Sequence, residues 1–251
     1  MNSKTGTSLW RQDIRKYEYA LGVLRATAAV AAMLYVFYDS FIPAPILFPV
    51  WLIYMRDWQA DIMRKKEQEF RLQFRDSIQI MASALKAGYS VENAIREAGR
   101  DLSPVYAEET RIRKEFDRMG HQLDMNMTAE EVLQGLAERT GQEDVENFVN
   151  VFVAAKKSGG DSISIIRSAV KIISGKIDTE KEIQTMLAAK KIEFDIMCAV
   201  PFVIILYMKL TFEEFLSVLY GNMAGVLIMS ICICVYIGAY VYGRKIIRIE
   251  V

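Results

Sequence analysis

The single histidine, His121, is the first place to look for proton transfer, and it stands beside Gly120 in the polar stretch "HQLDMN" with no cysteine near it. A structural or catalytic zinc needs several His, Cys or carboxylate ligands converging, and a Ser–His–Asp triad needs a histidine between nucleophile and acid. One isolated histidine serves neither. Carboxylates occur in adjacent pairs, Glu108/Glu109, Glu130/Glu131 and Glu143/Asp144. The first two pairs lie beside basic neighbours or helix caps, and a solvated surface is the reading for all three. No Gly-x-x-x-x-Gly-Lys loop is present to cradle a phosphate. The run "SGGDS" (158–162) sets glycines ahead of a helix start, where an anion could bind. Asp161 at the cap position places its own carboxylate on those donors, so a structural turn is expected. Cys198, Cys232 and Cys234 all fall in apolar runs. Cys232 and Cys234, two apart on a helix, point away from each other and read as small apolar fillers. No catalytic residue, no metal ligand and no cofactor site emerges, and the chain is not expected to be an enzyme.

The elements that would have to hold any site are better marked. Apolar stretches cluster near residues 26–38, 41–55, 196–212 and 223–242, and between them residues 56–195 carry 22 Lys/Arg and 25 Asp/Glu. The run Met223–Tyr242 holds 20 uncharged residues, about the 30 Å of a hydrocarbon core at 1.5 Å per residue. The preceding run contains Pro201, expected to kink it, and Lys209 near its end, where a lysine reaches the interface. Ala26–Tyr38 and Phe41–Met55 are each short, the second with Pro43, Pro45 and Pro49. Together they suggest a tight transmembrane hairpin over 21–55, with one span plus one interfacial helix as the alternative. Asp13 and Glu18 in the leader argue against a cleaved signal peptide. Arg25 beside the first span reads as a snorkelling side chain, and no ionisable group at mid-membrane depth points to a transporter.

Lys4, Arg11, Arg15 and Lys16, then Arg56, Arg64, Lys65 and Lys66, then Arg244, Lys245 and Arg248 mark one side of the membrane. By the positive-inside rule, both termini and the middle are expected to be cytoplasmic. The expected organisation is a cytoplasmic segment 1–20, a hairpin 21–55, a charged domain 56–195, a second hairpin 196–243 and a tail 244–251. Net charge is zero and the pI is about 6.6, which excludes the basic footprint of a nucleic-acid binder.

Periodicity near 3.6 predicts an all-helical middle. A first helix over Asp61–Ala87 lines up Phe70, Phe74, Ile78, Met81 and Leu85, and Gly88 supplies a left-handed stop. Ser90 caps a helix over Val91–Arg100. A charged helix is expected over Val105–Met119, ending at Gly120. The interleaved signs of "EETRIRKEFDR" favour an exposed, salt-bridge-laced face there. Thr128 with Glu131 forms a capping box, Gly141 breaks that helix at Thr140, and Glu143–Ser158 turns Val145, Phe148, Val149 and Phe152 inward. Gly159 and Gly160 turn the chain, and Asp161 caps a long last helix that enters the third span. A faint repeat relates "ALKAGYSVENAIREA" from Ala84 to "AKKSGGDSISIIRSA" from Ala155, at an offset of 71.

The runs "FRDSIQIMASALKAGYSVENAIREAG" (74–99), "FVNVFVAAKKSGGDSISIIRSAVKII" (148–173) and "EIQTMLAAKKIEFDIMCAVPFVIIL" (182–206) resemble, in this order, the type II secretion F-domain family. More closely they resemble its TadB/TadC branch of tight-adherence (Flp) pilus assembly. The resemblance implies an all-α polytopic membrane protein, with a cytoplasmic six-helix bundle between two transmembrane hairpins. Gly88, Ser90, Gly159, Gly160, Asp161 and Pro201 would be the structural marks of the family motif. It further implies a platform in the inner membrane of a prokaryote. Its partners would be a hexameric secretion ATPase, a second F-domain membrane protein, pilin subunits and membrane lipid, in a homo- or hetero-oligomer. One F-domain copy, where larger platform proteins have two, fits the Tad branch. The exposed charged helix would offer Arg111, Arg113 and Lys114 to the ATPase. The competing reading is a membrane-anchored regulatory or signalling scaffold.

Overall fold

A computed structural model of the chain describes residues 16–38, 44–158, 162–212 and 223–247. Eight helices occupy them, and no strand occurs among the described residues. They are α1 (Lys16–Tyr38), α2 (Ala44–Lys86), α3 (Val91–Leu102), α4 (Arg111–Asp124), α5 (Ala129–Thr140), α6 (Glu143–Ser158), α7 (Ser162–Thr211) and α8 (Met223–Ile247). The helices form two compact units. Residues 61–179 make a charged unit, while the described residues up to 60 and from 180 onward make an apolar one. The long helices α2 and α7 each contribute to both.

The charged unit has one apolar core drawn from α2 to α7. The stripe on α2 is buried as its spacing requires: Phe70, Phe74, Ile78, Met81 and Leu85 are all 2% exposed or less. Phe74 meets Phe148 of α6 edge-on at 5.9 Å. Two large rings that crowd one site make truncation to alanine costly, about 3–5 kcal/mol for a buried phenylalanine. The repeat is real in the packing. Phe74/Val145, Ile78/Val149, Met81/Phe152, Ala84/Ala155, Ile95/Ile166, Ala98/Ala169 and Leu102/Ile173, each pair at the same offset of 71, are buried throughout. The helix–turn–helix of α2 and α3 is thus matched by that of α6 and α7. The second turn, with Gly159, Gly160 and Asp161, lies outside the described residues.

Local signals explain most of the helix ends. Gly88 takes φ +91°, the Gly88 N–H bonds the Leu85 carbonyl, and the Tyr89 N–H reaches back to the Ala84 carbonyl. That pair of bonds satisfies the last carbonyls of α2 and defines the glycine-closed helix end. Nothing lies within 4 Å of a Cβ placed on Gly88, so a substitution there is opposed by backbone strain alone. Gly88→Ala is expected to lower thermal stability by about 1 kcal/mol, measured by melting the solubilised full-length protein. Ser90 caps α3 through its side chain and the Asn93 N–H, 3.3 Å. Thr128 and Glu131 form the expected capping box of α5, and Gly141 closes it at φ +58°.

The charged helix expected over Val105–Met119 is displaced. Residues after Pro104 form turns, Thr110 folds its hydroxyl back onto the Ala107 carbonyl at 2.7 Å, and α4 begins only at Arg111. Gly120 does not end it. The left-handed position falls to Asn126, φ +61°, whose N–H bonds the Leu123 carbonyl while the Met127 N–H bonds that of Gln122. Asparagine tolerates this conformation almost as glycine does. His121 is therefore an exposed helical residue and not part of a linker.

In the apolar unit, Leu34, Val36 and Phe37 of α1 pack with Met229 and Ile233 of α8. Phe202 of α7 sits against Phe37 at 5.6 Å and Tyr236 at 5.2 Å. Gly22 lets α1 approach the Trp58 ring of α2, since a Cβ there would stand 2.5 Å from it. Among the described residues, three segments are long and apolar enough to cross a membrane: Tyr17–Phe37, Ile163–Thr211 and Gly225–Ile246. The first reaches well before the expected Ala26, because Arg25 stands exposed on the helix and Glu18 half-buried, and neither ends it. The described part of the run at 41–55 opens α2, whose charges begin at Arg56, and is not among the three. Only 28%, 0% and 17% of the most apolar windows are buried within the protein, so most of their apolar surface faces outward, as suits a membrane. α7 passes through Pro201 without ending. Lys209 donates to the Tyr35 carbonyl at 2.9 Å and lies 3.8 Å over the Tyr35 ring, the bent-back posture of a lysine near a span end.

Candidate functional site

The residues expected to meet a partner lie on α4. Lys114 is exposed, whereas Arg111 donates to the Arg139 carbonyl at 3.2 Å. Arg113 donates to the carbonyls of Ser103 and Tyr106 at 3.3 and 3.2 Å. Arg113 thus fastens the 103–110 turn and Arg111 the C-terminal end of α5, so reversing either charge would loosen local backbone as well as change a surface. Lys114 is the member of the trio whose charge points outward without such a duty.

The turn is fastened further. The Tyr106 hydroxyl donates to Asp76 of α2, Arg75 holds Asp76 at 2.7 Å, and the same guanidinium pairs with Asp178 of α7. Burial, then the bond to Asp76, pushes the Tyr106 hydroxyl up to about 12. A folded pKa above the unfolded value near 10 stabilises the fold fully below pH 10, and that contribution is lost as pH rises toward 12. Stability is therefore expected to fall between about pH 10 and 12. Tyr106→Phe should remove that component of the slope, read from thermal melts across the range.

A second lattice lies at the start of α6. Asp144, 3% exposed, accepts from Arg71 of α2 at 2.6 and 2.7 Å and from Lys176 of α7 at 2.9 Å. Lys176 also reaches Glu143 at 3.4 Å, and its pKa is raised chiefly by the bond to Asp144. The Gln142 amide donates to Glu67 at 3.1 Å. These pairs are separated by 73 and 32 residues in sequence, which is why no local pattern announces them. They join α7 at Lys176, about four turns from its start, to α2 and α6 by charge as well as by apolar packing.

No set of three or more His, Cys, Asp or Glu that could hold a metal occurs among the described residues. An open cleft of about 490 Å³ beside α2 and α3 is lined by Asp76, Glu97 and Asp101, with Tyr89 at its edge. Asp76 is already taken by Arg75 and Tyr106.

A family model described as Type II secretion system (T2SS), protein F, matches residues 77–209. The chain belongs to that family. No curated protein and no solved structure matches it. The family match begins near the C-terminal end of α2 and ends at Lys209 of α7, so it takes in Gly88, Ser90, α4, the repeat from Ile78 onward and Pro201. The F-family protein is accordingly a membrane protein of the secretion-system class, with three segments among the described residues long and apolar enough to span. Arg71, Arg75 and Asp76, the α2 side of both ion lattices, precede the matched residues.

Proposed function

We propose that this F-family protein is an inner-membrane platform of a Tad/Flp-type pilus or a type II-like secretion machine, coupling a cytoplasmic ATPase to extrusion of pilin subunits. In this reading residues 56–195 are a cytoplasmic six-helix F-domain, and both termini share its side of the membrane. The protein works as a homo- or hetero-oligomer with a second F-domain membrane protein and a hexameric secretion ATPase. It moves its substrate mechanically, with no catalytic residue or cofactor of its own.

The observation that carries the reading is α7, one helix from Ser162 to Thr211. Ile166, Val170, Ile173 and Ile177 near its start are buried in the core of the charged unit, and its other end is an apolar membrane-crossing segment. A helix bends sharply only where its hydrogen-bond ladder is interrupted. Between the buried turns and Pro201 no proline interrupts it. In this reading, movement imposed on the charged unit would reach the membrane along α7, the helix that both units share.

Deletion of the chain tests the proposal. Surface pili, or export of the cognate substrate, are expected to disappear and to return when the full chain is supplied in trans. Unchanged pili and unchanged secretion in the deletion strain would contradict the platform role and favour a regulatory scaffold.

A further inference from the structure

The apolar unit encloses a cavity of about 460 Å³ among α1, α2, α7 and α8, within the range of about 300–1,000 Å³ typical of ligand pockets. Its wall is one-sided in chemistry. Ala29 and Met33 of α1, Val50 of α2, Phe202 of α7 and Ile237 of α8 present only carbon or thioether surface. One end of the lining holds its two charged groups, the Asp57 carboxylate and the Arg244 guanidinium, with Tyr54 and Tyr240 one turn away along α2 and α8, while the Tyr236 hydroxyl donates to the Cys198 carbonyl at 2.7 Å.

At that end Arg244 donates to Asp57 at 2.9 Å, and both side chains remain about a quarter exposed. Trp58 is the next residue, edge-on to Tyr19 at 6.2 Å, and Phe194 stacks on Tyr240 at 5.8 Å. A collar of Trp and Tyr marks the depth at which a membrane passes from headgroup to hydrocarbon. The cavity therefore starts at headgroup depth and continues into the apolar layer. The medium around the spanning helices is acyl chain, and an empty apolar cavity of this size forfeits the contacts of its whole lining.

We propose that this cavity binds one phospholipid with a primary-amine headgroup, phosphatidylethanolamine in kind, its acyl chain among α1, α2, α7 and α8 and its head at Asp57 and Arg244. Charge complementarity selects the head. A guanidinium and a carboxylate side by side match a phosphate and an ammonium side by side. A purely anionic head would set its second polar group against Asp57 with no ammonium to meet the carboxylate. A choline head has no N–H to donate to it. The bound lipid would fill the gap left between the four helices and so fix their spacing. The inference concerns the apolar unit alone and is independent of the partner that acts on the charged unit.

The test uses the full-length protein in nanodiscs containing equal parts of phosphatidylethanolamine, phosphatidylcholine and phosphatidylglycerol of one chain length. After transfer to detergent and stepwise delipidation, retained lipid is counted by native mass spectrometry. The expected result is one phosphatidylethanolamine per protomer, favoured about tenfold over either competitor, which corresponds to about 1.4 kcal/mol. Asp57→Asn is expected to erase the headgroup preference while leaving a retained lipid. Ala29→Trp, which fills the apolar part, should abolish retention of any lipid. Retention of phosphatidylglycerol as strongly as phosphatidylethanolamine, loss of all lipid from the unsubstituted protein, or unchanged retention in a folded Ala29→Trp variant would each overturn the proposal. Should Ala29→Trp not fold, the headgroup comparison on the unsubstituted protein decides alone.

Discussion

Asp144→Ala is expected to cost the charged unit about 3 kcal/mol, the lower part of the range for removing one partner of a buried ion pair. The reason is arithmetic of charge and access. Asp144 is 3% exposed and answers both Arg71 and Lys176. Without it the carboxylate that Arg71 and Lys176 share is gone, and Lys176 keeps the longer contact to Glu143. The loss is not larger because Arg71 is 20% and Lys176 42% exposed, so water recovers part of their solvation. Asp144 also stands in the first turn of α6, where a carboxylate complements the helix dipole. Hydrogen–deuterium exchange of the full-length protein should show faster exchange through α6 and the start of α7. Glu146→Ala, an exposed acid of the same turn, serves as the control and is expected within about 0.5 kcal/mol of the parent. Equal effects of the two substitutions would mean that the lattice does not hold α7.

A Gly-Pro insertion after Ala188 is expected to abolish pilus extrusion while leaving the protein in the membrane. Ala188 is exposed on α7, past the last core residue Ile177 and before the apolar run at 196–212. The insertion breaks the ladder of backbone bonds and shifts everything beyond it around the helix axis, yet removes no packed side chain. Membrane fractionation and antibody detection of surface pilin separate the two outcomes. An Ala-Ala insertion at the same place keeps the helix but changes its phase, and is expected to impair extrusion less. Normal pili in the Gly-Pro strain would show that α7 need not be stiff.

How much of this was legible in the sequence varies with the range of each interaction. The stripe from Phe70 to Leu85 and the inward face of α6 follow from period alone, because burial of one helix face is a local pattern. The capping box at Thr128 and the stop at Gly88 are equally local. Gly120 shows the limit: glycine permits a left-handed turn but does not demand one, and Asn126 takes the role six residues on. Likewise α1 begins ahead of Arg25, since a long cationic side chain on the surface does not end an apolar span. Arg111 and Arg113 were legible as charge but not as fasteners, because Arg111 reaches a carbonyl 28 residues away at the end of α5 and Arg113 bonds carbonyls of a turn that composition does not reveal. The pairing of Arg75 with Asp178, 103 residues apart, exists only once six helices have met.

The measurement that bears most directly on coupling is binding of the full-length protein in nanodiscs to its cognate hexameric secretion ATPase, with and without ATP. Saturable binding that changes with nucleotide, and that Lys114→Glu weakens without altering the melting temperature, is the predicted result. A folded protein that fails to bind in either nucleotide state, even with the second F-domain protein present, would contradict the proposal that this chain receives the motor's work.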